Sequence, residues 1–220
     1  MIYAIFNSNI SGMTLLAFIV AYVLAVMMAI VFHEFSHAYI AYKFGDPTPK
    51  FSGRLSLNPA RHFDGLGFLS FFIIGFGWAK PVMINPLNFR NFNKGRRFVA
   101  LSGIVTNLVL GILFSLLSYL LSPILIASSN TFLHMIYYFL NYSCIINFAL
   151  VIFNILPIYP LDGYNFLRTF LRPENGYVQV MERYGSLILF ILVLTPFFDW
   201  FYNFAIGGIT SGLNMFWGLF

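Results

Sequence analysis

The residues best able to do chemistry in this chain stand together in His33-Glu34-Phe35-Ser36-His37, which reads H-E-x-x-H. On a helix, positions i and i+4 share a face, so the imidazoles of His33 and His37 can reach one metal ion. The Glu34 carboxylate beside them is placed to act on a water held by that metal. The pattern is short and arises by chance in many chains, so its setting decides its meaning. From Met13 to Phe32 the sequence carries no charged residue, a run of about the length a bilayer-crossing helix needs. Three ionisable side chains inside or at the end of such a helix are expensive and have no cheap structural role. They read as part of a zinc site.

The whole composition agrees with a membrane setting. Of 220 residues, 60% are hydrophobic and only 9% charged, against about 25% charged in soluble domains. The 28 phenylalanines suit lipid-facing and interfacial surfaces. The net charge of +5 is no nucleic-acid signal, because the basic residues are confined to a few loops. The single cysteine, Cys144, lies in an apolar run; it excludes an intrachain disulfide and a thiolate zinc site, and reads as a small packing residue. The first dozen residues hold no Lys or Arg, so no cleavable leader is expected, and the first apolar segment carries the motif and must be retained.

The expected fold is an all-α polytopic membrane protein with about four to six transmembrane helices, a single membrane-embedded domain over residues 1–220. Met13 to about Phe44 reads as one long helix, longer than a bilayer requires. A Gly-rich re-entrant hairpin or β segment is expected near residues 50–81: Phe51 to Pro59 alternates in a strand-like way, and Leu66 to Trp78 is apolar but too short to span comfortably. Further spans are expected from Phe98 to about Leu121, broken at Ser122-Pro123, from about Phe132 to Leu156, and from Ser186 to about Ile206. All Lys and Arg fall in regions 43–61, 80–97 and 157–185. Four spans plus a re-entrant piece place those regions on one face, the cytoplasmic one by the positive-inside rule, with a plasma (inner) membrane as the expected location.

His33 and His37 then lie toward that face, and so does the end of the third span, Asn154-Ile155-Leu156-Pro157-Ile158-Tyr159-Pro160-Leu161-Asp162-Gly163. Pro157 and Pro160 break the helix, and Gly163 permits a tight turn after the carboxylate. A solvated loop carboxylate is the plain alternative for Asp162. As a ligand, it completes a His-His-carboxylate set with a fourth position open, the arrangement of catalytic zinc.

This combination resembles the site-2 proteases, the intramembrane zinc metalloproteases of peptidase family M50. These carry H-E-x-x-H in one transmembrane helix and an L-D-G motif at the end of a later one; the matching residues are His33, Glu34, His37 and Asp162, with Leu161 and Gly163 around it. Four further stretches resemble the family: Asn154-x-x-Pro157-x-x-Pro160 before Leu161-Asp162-Gly163, Leu57-Asn58-Pro59-x-x-His62-x-Asp64, Gly77-Trp78-Ala79-Lys80-Pro81-Val82, and Ser102-Gly103-x-x-x-Asn107. Together they span about residues 20 to 170. No region is long enough for the PDZ or nucleotide-sensing CBS modules of larger members, so the resemblance is to the compact form.

The resemblance implies one Zn2+ per chain held by His33, His37 and Asp162, with Glu34 as general base in the hydrolysis of peptide bonds within or next to transmembrane segments. It also implies a substrate-backbone or oxyanion role for Asn107, whose alternative is an interhelical hydrogen bond; Asn154 carries the same ambiguity. The expected partners are a membrane-spanning protein substrate and the lipid bilayer, with no nucleic acid. The Gly-rich piece at 65–81 is a candidate strand edge for an unwound substrate. His62 is a lesser candidate and His134 reads as incidental. Other classes stay open: a transporter or channel whose ionisable residues line an ion path, a non-proteolytic scaffold, or a zinc site that takes Glu174 or Glu182 as its third ligand.

Overall fold

A chain this apolar must satisfy its own backbone once it is in lipid, and helices do so segment by segment. The computed structural model describes residues 12–65, 67 and 80–219, and among them there is no strand. The helices are α1 (Gly12–Lys43), α2 (Thr48–Phe51), α3 (Phe92–Ala127), α4 (Thr131–Asn154), α5 (Asp162–Leu167), α6 (Gly176–Val193) and α7 (Pro196–Trp217), with short 3₁₀ turns at Pro59–Arg61 and Pro86–Asn88. Four of these helices, α1, α3, α4 and α6, are long and apolar enough to cross a membrane. The protein is an integral membrane protein.

The core is the three-helix contact of α1, α3 and α4. Its basis is visible as rows of residues four apart. On α1 the buried row is Ala17, Ala21, Ala25, Ala29, His33, His37 and Ala41. On α3 it is Gly95, Val99, Gly103, Asn107, Gly111 and Ser115. On α4 the larger Leu140, Cys144, Phe148 and Ile152 form one row, flanked by Ser143 and Asn147. Rows at this spacing are the ridges that pack into the grooves of a neighbouring helix. Small side chains on two of the three helices allow the close approach that stabilises helices in lipid, where no hydrophobic drive separates one apolar surface from another. Gly111 illustrates it: a Cβ there would lie 3.0 Å from the Phe148 ring.

Three sequence expectations are corrected. The strand-like alternation of Phe51 to Pro59 forms turns, not a strand: Ser52, Gly53 and Arg54 donate back to Thr48, Lys50 and Pro49 carbonyls, and Gly53 takes a positive φ of 69°. Prolines at the start of α2 and of the first 3₁₀ turn favour such local closure over a ladder. The break at Ser122-Pro123 does not occur, and α3 runs on to Ala127. Pro123 cannot donate to the Tyr119 carbonyl, but the Ser122 hydroxyl does, at 3.0 Å. The last expected span, Ser186 to Ile206, is in fact cut: Thr195 is extended, as a residue before proline prefers, and Pro196 opens α7. The expected re-entrant piece over 66–79 lies, apart from Gly67, outside the described residues.

The segment after α1 is tied back onto it by Asp46, which is fully buried. Its carboxylate accepts from the Thr48 hydroxyl (2.6 Å) and amide (3.1 Å), from the Asn85 amide (2.7 Å) and from the Asn88 side chain (2.8 Å). The Arg90 amide also donates to the Phe44 carbonyl. Burial alone would raise the Asp46 carboxyl, but these donors outweigh it and hold it below the ordinary carboxylate value. A group depressed in the folded state contributes stability above its unfolded pKa of about 3.9, and that stability is lost as pH falls through the folded value. Asp46→Asn is therefore expected to lower the thermal midpoint in detergent by several degrees at neutral pH. It should also flatten the loss of stability below about pH 4; equal acid profiles for both proteins would refute the assignment.

Candidate active site

His33 and His37 stand on the α1 ridge, both buried. Each ring is held from behind by its Nδ1. The His33 Nδ1–H donates to Asn107 Oδ1 on α3 at 2.5 Å, and the His37 Nδ1–H donates to the Val99 carbonyl on the same helix at 2.8 Å. The Val99 carbonyl also accepts the Ser102 hydroxyl at 2.7 Å, and that hydroxyl lies 3.1 Å from His37 Nδ1. With both Nδ1 atoms protonated, both Nε2 atoms present bare lone pairs. Gly103 makes room for this, because a Cβ there would sit 2.3–2.6 Å from the His33 ring.

Asp162 arrives from the other side. Helix α4 ends at Asn154, where Pro157 forbids continuation, and a turn closed by Leu161 N–H to the Ile158 carbonyl leads into α5. Asp162 is the first residue of α5. Gly163 has no positive φ and so no special turn geometry. Its need is space: a Cβ there would lie 2.3 Å from the Ile155 carbonyl oxygen. The Pro157 carbonyl accepts the Tyr177 hydroxyl, and Tyr159 packs where a Cβ on Gly185 would fall, so α6 braces the turn from outside.

The result is a triangle. His33 Nε2 and His37 Nε2 are 3.1 Å apart, and Asp162 Oδ2 lies 3.3 and 3.2 Å from them. Oδ2 is buried and has no hydrogen-bond donor. Three lone-pair atoms at this spacing repel one another unless a cation lies among them. The edges match the separation of about 3.3 Å expected between ligands placed 2.0–2.1 Å from a tetrahedral zinc. The donor set therefore fits a metal, and among the described residues it is the group of His, Cys, Asp or Glu close enough to share one.

The triangle opens on a cavity of about 430 Å³. Glu34, half-buried, lines it and accepts from the Val82 amide at 3.3 Å. Asn154 also lines it, with Nδ2 donating to the Leu150 carbonyl, as do Asn165 and Arg96, which sequence reasoning did not single out. Arg96 sits in a basic run where no pattern marks it. Asn107 is fully buried behind His33 and does not line the cavity; its Nδ2 donates to the Ala29 carbonyl (3.2 Å) and to Asn147 Oδ1 (2.7 Å). His62 is buried in its own loop, where its Nε2 donates to the Ser56 carbonyl. His134 stands in the first turn of α4, at the far end from Asn154, and Glu182 pairs with Arg168 at 3.0 Å.

A family model described as Peptidase family M50 matches residues 115–195, which include Asp162 but not the H-E-x-x-H stretch. The chain is 36% identical over 181 residues to "Putative zinc metalloprotease YwhC" of Bacillus subtilis, covering 79% of this chain and 80% of that protein. It is 28% identical over 208 residues to "Putative zinc metalloprotease Rip2" of Mycolicibacterium smegmatis, covering 85% and 74%. The Rip2 protein of Mycobacterium tuberculosis matches at 28% over 183 residues, covering 80% and 68%. No solved structure matches the chain.

Gly103→Ala tests the geometry. The added methyl must displace the His33 ring, break its bond to Asn107 and move Nε2 off the triangle. We expect zinc affinity, measured by chelator competition, to fall about 10–100-fold while helical content stays unchanged; undiminished affinity would mean that the ring has another place to go.

Proposed function

From the premise that this chain belongs to peptidase family M50, we propose that it cleaves peptide bonds within or next to the transmembrane segments of membrane-protein substrates, with His33, His37 and Asp162 as the zinc ligands and Glu34 as the general base. The enzyme is a zinc metalloendopeptidase. The observation that carries the site assignment is the triangle of bare donor atoms beside a carboxylate on one cavity. Zinc held there supplies Lewis-acid chemistry, acidifying water and polarising a carbonyl oxygen.

The chain's own residues do the rest. The Glu34 carboxylate, facing the cavity one residue along from a ligand, receives the proton of the attacking water and passes it to the leaving amine nitrogen. The Val82 amide holds that carboxylate in place by donating to Oε2. Asn107 and the Val99 carbonyl keep the rings in the Nδ1–H tautomer, so each Nε2 stays available. We assign Asn107 this positioning role, since its amide is taken up by His33, Ala29 and Asn147. Asn154 keeps a carbonyl and one N–H on the cavity wall, and we assign these to the backbone of an unwound substrate. Residues 68–76, the other candidate for that recognition, lie outside the described residues.

The C-terminal end of α1, the N-terminal end of α3 and the end of α4 meet at the site, and the basic regions 43–61 and 80–97 adjoin the first two. By the positive-inside rule we place this end, and the cleavage, at the cytoplasmic side of the plasma (inner) membrane.

Glu34→Gln is expected to abolish cleavage of a single-span membrane substrate while zinc stays bound near one per chain. Asp162→Ala, which removes a direct ligand, should lose bound zinc, whereas Glu174→Ala and Glu182→Ala retain it. Zinc lost with Glu34→Gln, or kept with Asp162→Ala, would overturn these roles. Asn154→Ala should cut cleavage about tenfold, the effect of one lost hydrogen bond of about 1.4 kcal/mol, with zinc content unchanged.

A further inference from the structure

We infer that Asn147, in the middle of α4, is a positioning residue that sets the tautomer of His33 through Asn107 and thereby keeps a lone pair on the metal-facing nitrogen. The inference rests on the zinc site proposed above and extends it to a residue two bonds away from any ligand.

Asn147 is fully buried where α1, α3 and α4 meet. Its Nδ2 donates to the Ser143 carbonyl at 2.7 Å, one turn back on its own helix. A backbone carbonyl only accepts, so the orientation of the Asn147 amide is fixed: Nδ2 toward Ser143, Oδ1 toward Asn107. Oδ1 in turn only accepts, so the Asn107 group facing it at 2.7 Å must be Nδ2. The second hydrogen of that Nδ2 goes to the Ala29 carbonyl. Asn107 therefore turns its Oδ1 to His33, and an oxygen without a proton demands Nδ1–H on the ring. A neutral imidazole protonated on Nδ1 is bare on Nε2, the atom that faces His37 and Asp162. Every donor and acceptor in this relay follows from one backbone carbonyl on α4.

Without Asn147 the acceptor left among the described residues to oppose a flip of the Asn107 amide is the Ala29 carbonyl, at the longer distance of 3.2 Å. A flipped Asn107 presents Nδ2 to His33 Nδ1, which favours the Nε2–H tautomer and puts a hydrogen where the metal binds. Helix α4 is also the helix whose end delivers Asp162. The same side chain thus registers the carboxylate-bearing element against the histidine-bearing one in a setting where unpaired polar groups are costly.

The test uses the full chain in detergent. Zinc affinity is measured by chelator competition for wild type, Asn147→Leu, Asn107→Leu and the double variant, with Asn141→Leu as control, since Asn141 donates only within α4, to the Tyr137 carbonyl. Ring ¹⁵N chemical shifts of the metal-free protein report the His33 tautomer. Asn147→Leu is expected to weaken zinc binding about tenfold and to move His33 away from the Nδ1–H tautomer. The double variant should be no weaker than Asn107→Leu alone, and Asn141→Leu should match wild type. Should the leucine variant fail to fold, Asn147→Ser serves: its hydroxyl can satisfy the Ser143 carbonyl but cannot reach Asn107. Wild-type affinity and an unchanged tautomer in the Asn147 variants, or additive losses in the double variant, would overturn the inference. Failure of the wild-type chain to bind zinc through His33, His37 and Asp162 would instead overturn the site assignment beneath it.

Discussion

Two imidazole lone pairs and a carboxylate oxygen, held 3.1–3.3 Å apart in a buried pocket, repel one another. With both rings neutral and protonated on Nδ1, nothing within the triangle favours that arrangement. It persists because each group is held from behind by something stiffer: His33 by Asn107, His37 by the Val99 carbonyl, and Asp162 by the closely packed turn after α4. Much of the three-helix core can be understood as the apparatus that keeps these three atoms together until a divalent cation turns their repulsion into coordination.

That apparatus needs helices at close quarters. A ring on α1 reaches a carbonyl or an amide on α3 only if nothing bulky intervenes. The rows of alanine on α1 and of glycine on α3 remove the bulk. His33 and His37 occupy positions on the alanine row itself, and Gly103 and Asn107 occupy positions on the glycine row. The metal site is thus a place where the packing ridge changes from small and apolar to polar without leaving its spacing. In lipid this matters twice, because van der Waals fit drives helix association there and an unpaired polar group has no water to turn to.

The sequence carried more of this than a motif search extracts. His33, Glu34 and His37 were legible because ionisable residues are too costly in an apolar run to stand there without a task, and Asp162 because prolines mark the helix end that presents it. Asn147 left a signal too, a polar residue inside an apolar span, but its meaning depends on which neighbour it meets, and that is a property of three helices at once. The rows at four-residue spacing were equally present in the residues of α1 and α3; only the packing shows that both are buried. Proline misled in both directions. At Pro123 a serine one residue earlier satisfies the stranded carbonyl and the helix continues, whereas before Pro196 the chain goes extended and the helix ends. The alternation at Phe51 to Pro59 looked like a strand because period two is also what a succession of turns can imitate.

Glu34 shows how one helix separates two tasks. One residue beyond His33 it is turned about 100° around the axis, off the packed row and onto the cavity wall. Its partner is therefore not the bundle but the Val82 amide, on a segment whose downstream turn is pinned by Asp46 through Asn85 and Asn88. The three candidate ligands are held by helix packing and the turn after α4, and the carboxylate proposed as general base by a loop anchored to the end of α1. A distortion of the bundle would disturb all three ligands together. A shift of the loop would move Glu34 alone and leave the His33, His37 and Asp162 triangle intact. Of the four side chains, Glu34 is the one whose hydrogen bond comes from outside the helix bundle.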